Sequence, residues 1–394
     1  MTLTARRLDA ADAERARRLG WEAFGFPATP SDEPARVDQP GRTWFGAFED
    51  ETLVAKMVDR AYDSCFGGAL VPTSGIAGVT VAVESRGRGA LSPLVAATLG
   101  HARERGAAIS TLFPTAPGIY RRFGYELVAD FVTVQLPTVD LAAVAPATGT
   151  TTRRATSADR EAVQRVYERW ALAQNGPLWR RGVSFDTADE GWPGAWTGVT
   201  VAEEDGQVTG YAAWNRGQGY DDTAVLEITD LLASTADGYR ALLRMLGSFA
   251  PVAPSTRIDT SGDDLARLVL PSVRWRVQDS SPYMLRVLDV PRALAARGYA
   301  PSLDLELHFS LQGDVLPGLD GGYRLSVAAG RAECVPAGAS DRVLSPQGLA
   351  LLYAGAQSSA NLRVAGHLRG GDPREDLDWD ALFGGRQLHI RNYF

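Results

Sequence analysis

The pattern of apolar and polar positions divides the chain into alternating strands and helices. Residues 2–8 alternate as a strand does, and Asp9 is placed to cap a helix over residues 10–24, whose Ala, Leu and Trp residues recur at helical spacing. Three β-branched and aromatic runs then predict an antiparallel meander. A helix over residues 90–105, a strand, a short helix and a last strand complete a first α+β unit.

The same order of elements recurs after a small, polar segment at residues 142–151, which is typical of a linker. A strand, a capped helix and a meander follow it, so we predict two copies of one fold. Near residue 288 the composition changes again, and short strands indicate a third, smaller α+β domain. The expected domains are 1–145, 146–287 and 288–394, because 394 residues exceed the usual size of a single core.

Composition favours a cytoplasmic protein. No apolar run approaches the roughly 18 residues of a membrane helix, and the first residues carry acids where a secretory signal would have an apolar core. Cys65 and Cys334, the two cysteines, fit a reducing compartment. We therefore expect no contact with a membrane and no disulfide.

The charge balance bears on the kind of partner that the protein binds. A net charge of −7 and a pI near 5.3 disfavour a nucleic-acid binder and suit a cationic small molecule better. Nearly all the basic residues are arginine, and Lys56 is the only lysine. The four histidines are scattered without ligand spacing, so we predict no metal site.

The most informative motif is a strand that runs directly into a turn containing glycine. The apolar strand GVTVAV is followed by residues 84–90 (ESRGRGA) and then by a helix. Such a turn presents backbone N–H groups beside the positive end of the helix dipole, and glycine lets a phosphate approach closely. The spacing is not G-x-G-x-x-G and a meander precedes it, so a nicotinamide dinucleotide fits less well. Taken alone, the motif is equally compatible with a solvated turn.

The residues that follow resemble one superfamily. Arg86-x-x-Gly89 after an apolar strand, followed by a helix, a strand and the segment Ile119–Tyr125 (IYRRFGY), resembles the GNAT acetyltransferases. The resemblance implies that the turn binds the pyrophosphate of acetyl-CoA. The family's pattern usually has Gly or Ala two residues after this glycine, whereas this chain has Leu91.

The closer resemblance is to the Eis (enhanced intracellular survival) acetyltransferases of bacteria, and it covers the whole chain. It rests on the RGRG turn with the later IYRRFGY, on VPRALAARGY near residue 290, and on the aromatic last residue, Phe394. It implies tandem GNAT folds, with mixed and mostly antiparallel sheets, and a C-terminal sterol-carrier-like α+β domain. The second unit lacks Arg-x-x-Gly, so we expect it to bind no CoA and to act as a scaffold. The resemblance also implies a homo-oligomer, a hexamer.

By the same resemblance, residues from both ends of the chain complete the active site. Tyr120 corresponds to the general acid, and the terminal carboxylate of Phe394 corresponds to the general base. An α-carboxylate has an unperturbed pKa of roughly 3.3 to 3.7, so we expect a partly desolvated terminus. Without the resemblance, the alternative for Tyr120 is a tyrosine packed in the protein interior, and the alternative for Phe394 is a frayed chain terminus. The residues expected to bind the cofactor are Val79, Thr80 and Val81 along the pantetheine, Arg86, Gly87, Arg88, Gly89, Ala90, Leu91 and Ser92 at the pyrophosphate, and Thr115 and Ala116.

The acceptor is expected to be a primary amine of a polar, cationic small molecule, aminoglycoside-like, or a lysine side chain. Phe24 and Gly78 are the residues expected to contact it. In the Eis-like relatives the position of Gly78 often holds a bulky aromatic residue, which implies a different acceptor preference here. The alternative function is a retired transferase that carries a hydrophobic ligand in its third domain.

Overall fold

The computed structural model describes residues 3–27, 33–185, 191–220, 223–261, 264–272 and 274–394, and within them twelve strands form one large sheet. Six of the strands lie within residues 3–137 and six within residues 151–287. They are β1 (Leu3–Arg7), β2 (Arg42–Glu49), β3 (Thr52–Phe66), β4 (Ala69–Val81), β5 (Ile109–Leu112), β6 (Glu126–Pro137), β7 (Thr151–Arg154), β8 (Gly198–Glu204), β9 (Gln207–Arg216), β10 (Val225–Ala233), β11 (Ser255–Thr260) and β12 (Arg276–Val287).

The strand order, β1-β2-β3-β4-β5-β12-β6-β11-β10-β9-β8-β7, shows two mirrored halves that exchange their last strands. In each half an antiparallel meander ends in one parallel pair, β4 with β5 and β10 with β11. At the centre, β12 pairs with β5 and β6, while β6 also pairs with β11. The sequence repeat therefore does not correspond to two separate sheets.

The helices of the two halves flank this sheet. They are α1 (Ala13–Phe24), α2 (Leu91–Glu104), α3 (Pro117–Arg121), α4 (Thr138–Ala142), α5 (Arg160–Ala173), α6 (Ala236–Gly247) and α7 (Ala266–Val269). The first helix begins later than predicted because Asp9 and Asp12 form a capping box around a 3-10 turn at Ala10–Asp12. Among the described residues, no helix combines the length and apolar character needed to cross a membrane.

The third unit forms a smaller sheet packed against the exchanged strands. Its strands run in the order β15-β14-β13-β16-β17. They are β13 (Leu305–Leu311), β14 (Gly321–Ala328), β15 (Arg331–Ala337), β16 (Val343–Leu344) and β17 (Leu368–Arg369), with α8 (Val290–Ala296), α9 (Pro346–Ala354), α10 (Ser359–Val364) and α11 (Asp376–Phe383). Every residue of α9 except Gln347 is buried, and the helix packs against β12 and β6. One continuous core therefore joins the first and third units.

A buried ion pair links β12 to the third unit. The side chains of Arg286 and Asp314 are each about 1% exposed, and Arg286 Nη2 lies 2.9 Å from both carboxylate oxygens. The same guanidinium donates to the carbonyl of Phe123, just after α3. Three segments far apart in sequence therefore meet at one charge that is satisfied only in the assembled fold.

We expect Asp314→Ala to lower the free energy of unfolding by about 3–5 kcal/mol, because it leaves a buried guanidinium without its carboxylate. Urea denaturation followed by circular dichroism measures the loss. Asp38→Ala, which removes an exposed carboxylate paired with Arg36, is the control and should change stability little. Equal effects of the two substitutions would contradict this role.

Candidate active site

The sheet opens where β5 ends. β5 pairs with β4 only from Thr73 to Ile76, whereas β4 continues to Val81 with β3 as its partner on the other side. The residues of β4 beyond Ile76 therefore keep one backbone edge free of strand pairing. Backbone groups at a free edge can bind an extended ligand as a further strand would.

A cavity of about 580 Å³ lies at this open edge. It is bounded by the end of α1, the open stretch of β4, the turn before α2, and α3. The residues that line it are Ala23, Phe24, Val79, Thr80, Val81, Ser85, Arg86, Gly87, Gly89, Ala90, Leu91, Thr115, Ile119, Tyr120 and Arg122. Its volume is in the usual range for small-molecule and cofactor sites.

Most of the sequence-predicted site residues meet in this cavity. Those that do not line it are Arg88, Ser92, Ala116, Gly78 and Phe394. Sequence reasoning did not single out Ala23, Ser85, Ile119 and Arg122, which do line it. Ser85, Ile119 and Arg122 belong to the two sequence motifs, so the motifs could have indicated them as site residues. For Ala23 there was no indication in the sequence beyond its position next to Phe24.

The turn before α2 has the form that an anion requires. Gly87 and Gly89 have φ angles of 78° and 86°, which favour glycine, and no atom lies within 4 Å of where their Cβ atoms would be. The helix begins at Leu91, and its cap residue, Ala90, makes no side-chain hydrogen bond. The first N–H groups of α2 therefore have no capping side chain, although that of Ser92 donates to the carbonyl of Gly89 at 3.1 Å. The end of the helix can still attract a phosphate.

Tyr120 contributes a buried hydroxyl to the cavity. It is 8% exposed, and its ring packs edge-on against Tyr125 at 6.2 Å between centroids. Within the described part of the chain, no hydrogen bond to its hydroxyl is formed. Burial raises the pKa of Tyr120 to about 12, so the phenol remains a proton donor throughout the neutral range.

The last residues of the chain are anchored across the sheet. The N–H of His389 donates to the carbonyl of Asn175, and the N–H of Asn175 donates to the carbonyl of Gln387. Arg180 Nε donates to the side-chain oxygen of Asn392 at 3.2 Å. An isolated bridge between Asn175 and Leu388 adds to these contacts, and together they dock the segment against the second unit.

These contacts hold Phe394 against the sheet. Its ring lies 5.2 Å from Tyr62 and 5.4 Å from Phe113, measured between centroids. A Cβ at Gly75 of β4 would stand 3.0 Å from its Cε2, so the ring lies on a strand position that has no side chain. Gly75 precedes the open stretch of β4, and the chain end therefore reaches the sheet just before it opens.

A second cavity, of about 520 Å³, adjoins the chain end in the second unit. It is lined by aromatic and charged side chains together with residues 391–393. Arg180 donates to Asp230 there, and burial raises the pKa of Asp259, which accepts a hydrogen bond from Thr133 at 2.8 Å. Of the described residues, none forms an ion pair with Asp259. The cavity thus holds a carboxylate that an ammonium group could pair with.

Gly78 occupies a position that the backbone itself restricts. Its φ angle is +57°, and the pairing of β3 with β4 shifts register between Lys56 and Val58 opposite it. An L side chain in this conformation would be strained. Gly78, which stands where relatives often have an aromatic residue, thus lies at a β-bulge. The side chain of Lys56 occupies the space next to Gly78, and its Nζ lies 3.7 Å from the position that a Cβ of Gly78 would take.

Lys56 was not among the sequence-predicted site residues. It is 5% exposed, its Nζ lies 4.9 Å from the ring centroid of Trp44, and within the described part of the chain it forms no ion pair. Burial lowers the pKa of Lys56 to about 8. The signal in the sequence was its isolation, since a single lysine stands within an apolar strand of an otherwise arginine-using chain.

Comparison with known proteins gives the family. The chain matches two acetyltransferase (GNAT) domain families, over residues 4–128 and 171–287, and a sterol carrier protein domain over residues 290–390. It is 31% identical to an uncharacterized N-acetyltransferase of Streptomyces griseus over 97% of both chains. It is 30% identical to the N-acetyltransferase Eis of Mycobacterium tuberculosis over 80% of this chain and 79% of that protein.

The chain belongs to the Eis family of GNAT N-acetyltransferases. It is thus an acyltransferase of the class that uses acetyl-CoA, and the predicted family, fold and enzyme class are confirmed. A GCN5-related N-acetyltransferase from Kribbella flavida has the same fold over 100% of this chain and 98% of its own, with a TM-score of 0.84 and 28% identity. Eis1 from Mycobacterium abscessus, at 22% identity and a TM-score of 0.78 over 100% of both chains, shares the fold.

Two further features of this Eis-family member concern its other reactive groups. Cys65 and Cys334 are free thiols, and both are buried. Among the described residues, no group of three His, Cys, Asp or Glu side chains could hold a metal ion.

We expect Lys56→Met to stabilise the fold most strongly at neutral pH. Because the folded pKa of about 8 lies below the ordinary 10.5, the folded chain releases a proton that the unfolded chain keeps between these values, and wild-type stability rises with pH across this window. Each pKa unit corresponds to about 1.4 kcal/mol, so the full effect is about 3 kcal/mol.

Melting temperatures of both proteins from pH 7 to pH 10 check this expectation. Other groups titrate alike in the two proteins, so the advantage of the variant should shrink as pH rises. Two curves that remain parallel across the range would show that Lys56 is not destabilised by burial.

Proposed function

We propose that this chain transfers the acetyl group of acetyl-CoA to a primary amine of a polar, cationic small molecule or of a lysine side chain. The observation that carries the proposal is the single cavity in which the open edge of β4, the glycine turn and Tyr120 come together. In this arrangement the pantetheine runs along Val79–Val81, and the pyrophosphate lies at the turn before α2. Backbone N–H groups of the open edge stabilise the carbonyl oxygen as charge develops on it.

The acceptor amine must lose a proton before it can attack. An alkylammonium has a pKa of about 10.4, so at neutral pH nearly all of it is protonated and has no lone pair. We assign the base to the terminal carboxylate of Phe394, acting directly or through a water molecule. The anchoring of residues 387–392 supports this assignment, because a base must be held in place to work efficiently.

The reaction then forms the amide bond and breaks the carbon–sulfur bond. The amine nitrogen attacks the thioester carbon, its proton passes to the base, and the thiolate of CoA leaves. Tyr120 hydrogen-bonds to the sulfur as negative charge develops and supplies the proton that completes the thiol. A phenol with a pKa raised to about 12 stays protonated until that moment. Full transfer of its proton to a thiolate, whose thiol has a pKa of about 8.5, is uphill unless it is coupled to cleavage of the carbon–sulfur bond.

The surroundings of the chain end support an acceptor with at least one further cationic group. Asp259 offers a carboxylate that forms no ion pair with the described residues, although the guanidinium of Arg391 donates to its backbone carbonyl. It lies in the cavity beside residues 391–393, and aromatic side chains line the same space. Phe24, 63% exposed at the end of α1, offers an apolar contact on the cofactor side. A polar amine could therefore lie between the two cavities.

Three wider expectations complete the proposal. The second unit acts as a scaffold that holds the chain end, which agrees with the bonds of Asn175 and Arg180 to residues 387–392. The enzyme works in the cytoplasm, as its free thiols suggest. It assembles as a homo-oligomer, a hexamer by family resemblance, which sedimentation can test.

The alternative of a hydrophobic carrier finds less support. Inside the third unit, Trp379 stacks on Phe383 and packs edge-on against Phe309, and all three belong to its buried core. A cavity beside β13, β14 and β15 has charged residues, among them Asp304 and Arg331, in its lining. Neither feature suits a lipid.

Replacing Tyr120 by Phe should lower kcat by about 10²–10⁴-fold, because the leaving thiolate loses its proton donor. The release of thiol from acetyl-CoA with a panel of polyamines measures the effect. Tyr220→Phe, at a tyrosine 87% exposed in the second unit, is the matched control and should keep wild-type activity. A Tyr120→Phe enzyme within twofold of wild type would remove the acid from the scheme.

Adding one glycine after Phe394 should lower turnover at least tenfold, because it converts the catalytic carboxylate into an amide and moves the charge by one residue. The same thiol assay measures the rate, and an unchanged melting temperature shows that the fold is intact. The control carries one extra glycine at the other end of the chain. Full activity of the C-terminally extended enzyme would exclude Phe394 as the base.

A further inference from the structure

Three polar groups on the adjacent strands β2, β3 and β4 lack hydrogen-bond partners within the described part of the chain. Two of them, the indole N–H of Trp44 and the hydroxyl of Thr80, are fully buried, and the third is the ammonium of Lys56. Lys56 stands opposite Thr80 in the pairing of β3 with β4, and its ammonium lies over the Trp44 ring. Buried polar groups are normally satisfied, so unpaired donors of this kind indicate a ligand that supplies an acceptor.

The charge of Lys56 specifies the kind of acceptor. Lys56 is 5% exposed as a whole residue, and holding its ammonium in such a place without a counter-ion is costly; the face of Trp44 offsets only part of that cost. No charged residue influences the pKa of Lys56, which burial alone lowers. The missing partner is therefore an anion. A single cation suits the single charge of a carboxylate better than the two charges of a phosphate.

The position of Nζ assigns that anion to the acceptor. Nζ lies 3.2 Å from the Cβ position of Gly20 in α1 and 3.7 Å from that of Gly78 in β4. Phe24, which lines the cofactor cavity, stands one helical turn after Gly20. Val79, which also lines that cavity, directly follows Gly78. The pyrophosphate turn lies beyond Val81, at the other end of the open stretch. The site thus adjoins the place where the amine must meet the thioester.

We propose that Lys56 is a binding site for a carboxylate of the acceptor, so that the acceptor is a primary amine that also carries a carboxylate, as amino acids do. This inference rests on the proposed function and narrows it. The reacting amine and any further ammonium face the chain end and Asp259, while the carboxylate faces Lys56 between α1 and β4. A polycation without a carboxylate leaves the buried ammonium unpaired and is a poorer substrate.

Matched acceptors test the inference. Thiol release is measured with lysine against cadaverine and with ornithine against putrescine, pairs that differ only in the carboxylate. We expect kcat/KM to be at least tenfold higher for the amino acid of each pair in the wild type, and Lys56→Met to reduce that ratio at least tenfold. Arg18→Gln, which removes an exposed positive charge from the same helix as Gly20, should keep the ratio.

Three results would overturn the inference. They are a wild-type ratio near one, a ratio unchanged in Lys56→Met, and an equal loss of rate with every amine in that variant, which would place Lys56 in the chemistry or at the cofactor. Melting temperatures with CoA present give a second measure that needs no turnover. Lysine should stabilise the wild type more than cadaverine does, and Lys56→Met should lose that difference.

The two hypotheses fail in different ways. A wild type that releases no thiol with any amine would contradict the proposed function. In that case the melting temperatures still decide the carboxylate site, because equal stabilisation of the wild type by lysine and cadaverine would overturn it.

Discussion

The active site depends on the point at which β4 parts from β5. Their parallel pairing ends at Ile76 and Leu112, and β4 continues with an unpaired edge to Val81. β5 cannot close the gap, because its other side is held by β12. The cleft in which we place the cofactor is thus an interruption of hydrogen bonding within a sheet that is otherwise continuous. The glycine turn and Tyr120, which we assign to the site, flank this interruption.

The exchange of β6 and β12 joins the first two units in one sheet and connects that sheet to the third unit. Because β12 leads directly into the third unit and carries Arg286, the sheet centre, the segment after α3 and Asp314 are tied to one another. The chain end returns from the third unit across the second to reach Gly75. The second unit therefore bears on the proposed active site, since it fixes the path of residues 387–392.

The sequence pattern predicted those elements whose conformation depends on residues close together in the chain. Gly87 and Gly89 adopt the φ angles that their turn requires, and α2 begins within a residue of its predicted start. The exchange of strands was not predictable, because the alternation in β12 is compatible with either half of the sheet, and its pairing depends on partners more than 140 residues away. The later start of α1 depends on Asp12, whose carboxylate also binds Arg6.

The contrast between Gly78 and Lys56 shows why a site residue can be invisible to motif comparison. Comparing position 78 with the family reveals only that an aromatic side chain is missing. The structure adds that the glycine permits a bulge and that the ammonium of Lys56 lies beside the vacated position. In the acceptor site that we propose, the glycine therefore stands beside a positive charge, which affects the electrostatics of that site as well as its size. Specificity within this fold can therefore shift through the strand adjacent to the cofactor strand, without change to the turn or to Tyr120.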